Sequence, residues 1–202
     1  MKKFSFKNLK KPLLIAEIGN NHEGSFQRAK KLIDLAKEGG ADAVKFQTIN
    51  PKKYYHYNEK KQLKKYNKFK LTNNQFRKLA LYSKQKKLLF ISTPFDLNSA
   101  RFLRTIVDII KISSGDNNFL PLIDLCIKLK KPLIISTGLL TEKEIYDLYK
   151  YLKDKIDIKK LCFLHCVANY PVAPENANVG FIEKLKKKLP KLTIGYSDHT
   201  IG

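Results

Sequence analysis

Residues 13–48, LLIAEIGNNHEGSFQRAKKLIDLAKEGGADAVKFQT, constrain the fold more than any other stretch of the chain. Residues 13–18 form a short apolar run interrupted by one acid, Glu17. A polar loop, GNNHEG, follows, and Ser25 is placed to cap a helix. Phe26, Ala29, Ile33 and Ala36 then recur at helical spacing until Gly39-Gly40 ends the run. A second apolar run, 43–47, carries Lys45 among its apolar neighbours. The unit is therefore strand, loop, helix, strand. An acid and a lysine at the carboxyl ends of consecutive strands are hard to explain as packing, and α/β folds place their chemistry at those ends.

The rhythm repeats. Strands are predicted at 13–18, 43–47, 88–92, 108–113, 132–136, 161–165 and 192–196, and helices near 25–38, 73–86, 97–104, 119–129, 141–153 and 178–188. Thr72 and Thr141 are expected N-caps, the latter completing a capping box with Glu144. Alternating strands and helices imply a parallel sheet with right-handed crossovers. A doubly wound dinucleotide-binding sheet would carry Gly-x-Gly-x-x-Gly after the first strand, and that pattern is absent. Candidate residues at the end of nearly every strand favour a (β/α)8 TIM-barrel type, with seven of its eight strands in this chain. One stretch breaks the rhythm: residues 50–70, NPKKYYHYNEKKQLKKYNKFK, are expected to be an insertion over the mouth, either covering substrate or merely solvated.

Composition narrows the function. Forty basic residues against eighteen acidic ones leave a net charge of +22. Such a surplus raises nucleic acid as a partner, and the Tyr/Lys stretch could stack on one. Yet the lysines fall where solvated helix faces need polar residues, so nucleic acid is not the expected partner, although the charge would attract anionic substrates. Three cysteines argue against a disulfide scaffold and for a reducing compartment. Cys162 and Cys166 lack the second pair that would make a zinc site, so they read as small buried hydrophobes. The amino terminus resembles a signal peptide only superficially, since its apolar run is short and no cleavage pattern follows. No run approaches the length needed to span a membrane, so a cytoplasmic protein is expected.

Lys45 and Lys111 each sit on a short apolar strand, where an ammonium must be paired or must meet an anionic ligand. Thr93, Ser113, Ser114, Ser136 and Thr137 add hydroxyls at three strand ends. Two lysines with such hydroxyls suit a phosphate plus a carboxylate. The alternative is a Lys–Glu pair with Glu17, the hydroxyls serving only as helix caps.

EIGNNHEG (17–24), GGADAVKFQT (39–48), ISTPF (91–95), KISSGD (111–116), PLIISTG (132–138), LHCVANYP (164–171) and IGYSDHT (194–200) together resemble the sialic-acid (N-acetylneuraminate) synthases, the wider nonulosonic-acid synthase family. The resemblance implies condensation of phosphoenolpyruvate with an N-acetylated amino sugar of the N-acetylmannosamine kind. By resemblance, Lys45, Gln47, Thr93, Lys111, Ser114, Ser136 and Ser197 contact phosphoenolpyruvate, and Glu17 and Asp116 are the acid–base candidates. His199 matches a ligand of a divalent metal, manganese or magnesium. Asp116 stands where the family often has Glu, and its shorter reach, with Asn169 in the NYP version of its motif, points to a related sugar. His22 is a candidate substrate or structural contact, His165 a satisfied core histidine, and His56 a solvent-exposed one.

The chain ends six residues after the seventh expected strand. By resemblance, an eighth strand with a second metal histidine and an antifreeze-like C-terminal domain would follow, and the full-length protein would be a homodimer. Residues 1–202 are thus expected to be an incomplete barrel domain, weakly stable and nearly inactive alone. An inactive remnant of the family, or a basic protein binding nucleic acid or another anion, is the alternative.

Overall fold

The computed structural model describes residues 4–201; residues 1–3, which begin the leader-like stretch, and residue 202 lie outside the described residues. The chain divides into two compact units, Lys10–Ile110 and Met1–Leu9 with Lys111–Gly202.

In the unit from Lys10 to Ile110 the order is β1 (Ile15–Gly19), α1 (Phe26–Glu38), β2 (Ala43–Thr48), α2 (Pro51–Tyr54), α3 (Lys60–Phe69), α4 (Asn73–Gln85), β3 (Leu89–Pro94) and α5 (Leu97–Leu103), followed by the first half of β4 (Ile109–Ile112). Local chemistry accounts for the helix ends. The Ser25 hydroxyl accepts the Arg28 N–H, and Gly40, at φ +78°, turns the chain out of α1. Thr72 and Gln75 form a reciprocal capping box at α4. All strand pairs are parallel: β1 with β2, β2 with β3, β3 with β4. Strands covered on both faces read as continuous apolar runs, and β2 and β3 begin so, Lys45 apart, before ending in polar Gln47, Thr48, Ser92 and Thr93. On the helix side Phe46 stacks on Phe90 with ring centroids 5.3 Å apart and meets Phe76 edge-on at 6.3 Å. Each such ring, wholly buried, contributes roughly 1.5–3 kcal/mol of transfer free energy.

The other unit continues with α6 (Leu120–Lys128), β5 (Leu133–Ser136), α7 (Glu142–Leu152), β6 (Leu161–His165), α8 (Phe181–Lys188) and β7 (Thr193–Tyr196). Its strands pair in parallel, β5 with β6 and β6 with β7, so that Ser136 lies opposite Leu164 and His165 opposite Tyr196. Thr141 and Glu144 complete the expected capping box of α7. β5 and β6 are buried throughout, whereas β7 is half-exposed along its length. In each unit strand order follows chain order, the repeat of a (β/α) barrel.

The 50–70 stretch, expected as an insertion either covering substrate or merely solvated, folds as two helices, α2 and α3. The signal was present but outweighed by polarity. Lys and Gln are good helix formers, and Leu63, Tyr66 and Phe69 recur every third residue along one half-buried side. Most of its residues are exposed and α3 has none buried, but some of its aromatic rings are partnered. Tyr55 packs on Tyr66 and Tyr54 meets Phe95 edge-on, both at 5.1 Å between centroids. Among the described residues no helix is long and apolar enough to cross a membrane.

Candidate functional site

At the carboxyl ends of β1 to β3, strand register sets the partners. Glu17 lies opposite Lys45, and Lys45 Nζ donates to Glu17 Oε2 at 2.5 Å. The lysine side chain is 6% exposed and that of the glutamate 51%, so a buried ammonium is neutralised by a carboxylate that still reaches solvent. The pairing weighed from the sequence is thus realised, on the open side of the pair. Gly19, at φ +52°, lets the backbone pass close to this carboxylate: a Cβ there would stand 3.0 Å from Glu17 Oε1. Gln47 accepts a 2.5 Å hydrogen bond on Oε1 from Asn20 Nδ2, which turns its own NH2 away from Asn20. Thr93 lies opposite Gln47; its Oγ1 is buried and has no partner among the described residues.

His22 does not join this group. Its ring sits 6.0 Å from Phe46, which alternation places on the other face of β2 from Lys45 and Gln47. Nδ1 accepts the Gly24 N–H at 3.0 Å, while buried Nε2 has no partner among the described residues. Burial holds its pKa below the ordinary histidine value. The unfolded chain then binds the proton at higher pH than the fold does. Stability is full above the ordinary pKa and falls as pH drops through the window beneath it, by at most about 1.4 kcal/mol per pH unit. Urea unfolding between pH 7.5 and 5.5 should show this slope, and His22→Gln should flatten it; equal slopes would rule the residue out as the source.

In the unit that begins at Lys111, the turn after β4 gathers several candidates. Lys111 itself is half-buried on β4. Ser113 donates its hydroxyl to Asp116 Oδ2 at 2.5 Å. Burial raises the Asp116 pKa above the usual carboxylate value, opposed by that hydroxyl. Ser114 Oγ lies 3.1 Å from Cys166 Sγ, at the end of β6. Asn117, 3% exposed, donates Nδ2 to the carbonyls of Ser136 (3.1 Å) and Gly138 (2.8 Å). Ser136 Oγ is buried without a partner among the described residues. Beside Ser114, between α6 and α7, lies an open cleft of about 410 Å3, whose acids are already engaged, Glu144 by Thr141 and Asp147 by Lys143.

The SDHT turn follows β7. Ser197 N–H donates to the His165 carbonyl, and Asp198 accepts from the Thr200 N–H and hydroxyl. His199 Nδ1 lies 2.7 Å from the Val167 carbonyl, so it carries the proton and leaves a lone pair on Nε2, 3.5 Å from Ser197 Oγ. A carbonyl on one ring nitrogen is how metal-binding histidines are oriented. Among the described residues, no group of three or more His, Cys, Asp or Glu is arranged to hold a metal. His165 is buried against Phe181 and Tyr196 with Nε2 on the Ala177 carbonyl, a satisfied core histidine as expected, and His56 is exposed. The three cysteines are free and buried.

The family profile described as NeuB family matches residues 32–202. The chain belongs to the NeuB family. Over 96% of its length it is 37% identical to N,N'-diacetyllegionaminic acid synthase of Campylobacter jejuni, covering 62% of that protein. It is 32% identical over 94% of its length to human N-acetylneuraminate-9-phosphate synthase, covering 56% of it. It thus spans little more than half the length of such NeuB-family relatives. The crystal structure of N-acetylneuraminic acid (sialic acid) synthetase from Leptospira borgpetersenii in complex with citrate superimposes on all of this chain and 71% of its own, with 32% identity and a TM-score of 0.90. The fold is therefore of the TIM-barrel type, with seven parallel strands.

Asn20, Asn117, Gly138 and the Val167 carbonyl escaped the sequence reading as site-forming groups. Asn20, Gly138 and Val167 at least lay inside motifs that drew notice. Nothing in the spacing of Asn117 distinguishes it from a loop asparagine.

Proposed function

We propose that this NeuB-family chain is the barrel part of an enzyme condensing phosphoenolpyruvate with an N-acetylated amino sugar to give a sialic-acid-type nonulosonic acid and phosphate. The observation that carries this reading is two buried hydroxyls, each without a partner among the described residues: Thr93 Oγ1 near the end of β3 and Ser136 Oγ at the end of β5. An unmet buried hydroxyl costs roughly 1–3 kcal/mol, so two of them at strand ends suit anionic oxygens of a substrate.

Carbon 3 of phosphoenolpyruvate forms the new bond to the sugar's aldehyde carbon, water adds at carbon 2, and the C2–O bond breaks to release phosphate. Lys45 and Lys111 meet the phosphate and carboxylate charges; Thr93, Ser114, Ser136 and Ser197 donate to their oxygens. Glu17, with one oxygen on Lys45 and the other beside Gly19, orients or deprotonates a reacting group. The raised pKa of Asp116 keeps its proton available nearer neutrality than that of an ordinary carboxyl. His199 Nε2 would ligate manganese or magnesium, which supplies Lewis-acid polarisation of the aldehyde oxygen. The remaining catalysis is positioning and electrostatic stabilisation. A homodimeric, cytoplasmic whole protein belongs to the same proposal.

Calorimetric titration at physiological salt, with phosphoenolpyruvate and with an oligonucleotide, tests it. Phosphoenolpyruvate should bind, and manganese with N-acetylmannosamine or a related amino sugar should then drive phosphate release from the full-length protein. Tight oligonucleotide binding without any phosphoenolpyruvate signal would replace the enzyme with a basic binding protein.

A further inference from the structure

We infer that Asn117 is a positioning residue of the phosphoenolpyruvate site, a buried amide that clamps the end of β5 to the turn after β4; the inference rests on the reading of Ser136 proposed above. The two carbonyls that Asn117 Nδ2 binds, Ser136 O and Gly138 O, flank Thr137. Thr137 is held from its other side, its N–H and its hydroxyl both donating to the Leu164 carbonyl at 2.9 and 3.0 Å. The chain leaving β5 is thereby anchored at three successive residues. Ser136 itself keeps a buried Oγ with no partner among the described residues. With the backbone on both sides of its side chain held, the serine's Cα stays in place when a ligand arrives.

The clamp also joins candidate residues. Asn117 directly follows the short 3-10 turn Ser114–Asp116, so one amide ties the segment bearing Ser114 and Asp116 to the segment bearing Ser136. Gly138 closes the contact from above. A Cβ on it would lie 2.7 Å from Ser114 Oγ and 2.9 Å from Cys166 Sγ, so the backbone rests directly on those two atoms. The chemistry needed at position 117 is narrow: a short side chain with two N–H donors on one atom. Leucine would leave two carbonyls unmet in a buried place, and aspartate would turn oxygen toward oxygen.

The test is a double-mutant cycle on the full-length protein, with the dissociation constant for phosphoenolpyruvate read by calorimetry and Tm measured alongside. Asn117→Asp should weaken binding tenfold or more, as should Ser136→Ala. The double variant should bind no more weakly than the poorer single one, because the amide acts through Ser136. Should Asn117→Asp not fold, Asn117→Ser, which keeps one donor, decides the same cycle. Binding by Asn117→Asp within twofold of wild type, or losses in the double variant that multiply, would overturn the clamp, even with Tm lowered. A wild-type protein that does not bind phosphoenolpyruvate would instead overturn the proposed function, and the clamp's role with it.

Discussion

Gly24→Ala should destabilise the fold by about 2–5 kcal/mol, a large share of the stability of an ordinary domain. Two costs combine. The residue has φ +83°, a conformation that charges an L side chain roughly 1–2 kcal/mol. Its new Cβ would also lie 2.2 Å from the Lys68 carbonyl oxygen, backbone at the end of α3 that has no rotamer through which to retreat. Overpacking of this kind costs typically 1–3 kcal/mol. Gly40 supplies the control. Its φ is +78°, yet nothing lies within 4 Å of where a Cβ would sit, so Gly40→Ala should carry the conformational cost alone. Chemical denaturation of the two variants should therefore differ by at least about 1 kcal/mol. Equal losses would mean that the GNNHEG loop does not rest on α3 as described.

Lys45→Met should weaken phosphoenolpyruvate binding by roughly 10- to 150-fold, the equivalent of one charge-assisted contact of about 1.5–3 kcal/mol. Stability should change little. The methionine fills the buried channel of the lysine stem, and Glu17, half-exposed, keeps water when it loses its partner. A measured affinity within twofold of wild type would show that the Lys45–Glu17 pair is structural. A collapse in stability with affinity retained would show the same thing more strongly.

The seven apolar runs that read as strands each coincide with one, their ends differing by at most two residues. For the strands buried throughout, such as β5 and β6, the legibility is physical: covered on both faces, they are apolar nearly from end to end. The caps at Ser25, Thr72 and Thr141 were legible for a similar reason, since a cap bonds an N–H only three residues away. α3 was not. Its lysines suggested a solvated loop, and the contacts that decide its state, such as Tyr55 on Tyr66, bridge eleven positions of chain. The candidate site divides along the same line. Lys45 drew attention because a charge in an apolar run is locally anomalous, whereas Asn117 reaches Ser136 and Gly138 across 19 and 21 positions.

The sequence by itself determined the repeating strand and helix, the helix ends, and the residue types standing at the carboxyl ends of the strands, because each depends on neighbours within about one helical turn. Only the tertiary structure decided who meets whom: that Glu17 rather than solvent faces Lys45, that His22 turns to the Phe46 side of β2, that His199 gives its Nδ1 proton to Val167, and that the hydroxyls of Thr93 and Ser136 are left unmet. The contacts between strands among them follow from register, and the loop contacts from where the strand ends set the chain. Parallel strands lie about 4.8 Å apart, and a slip of one residue would send every side chain to the opposite face.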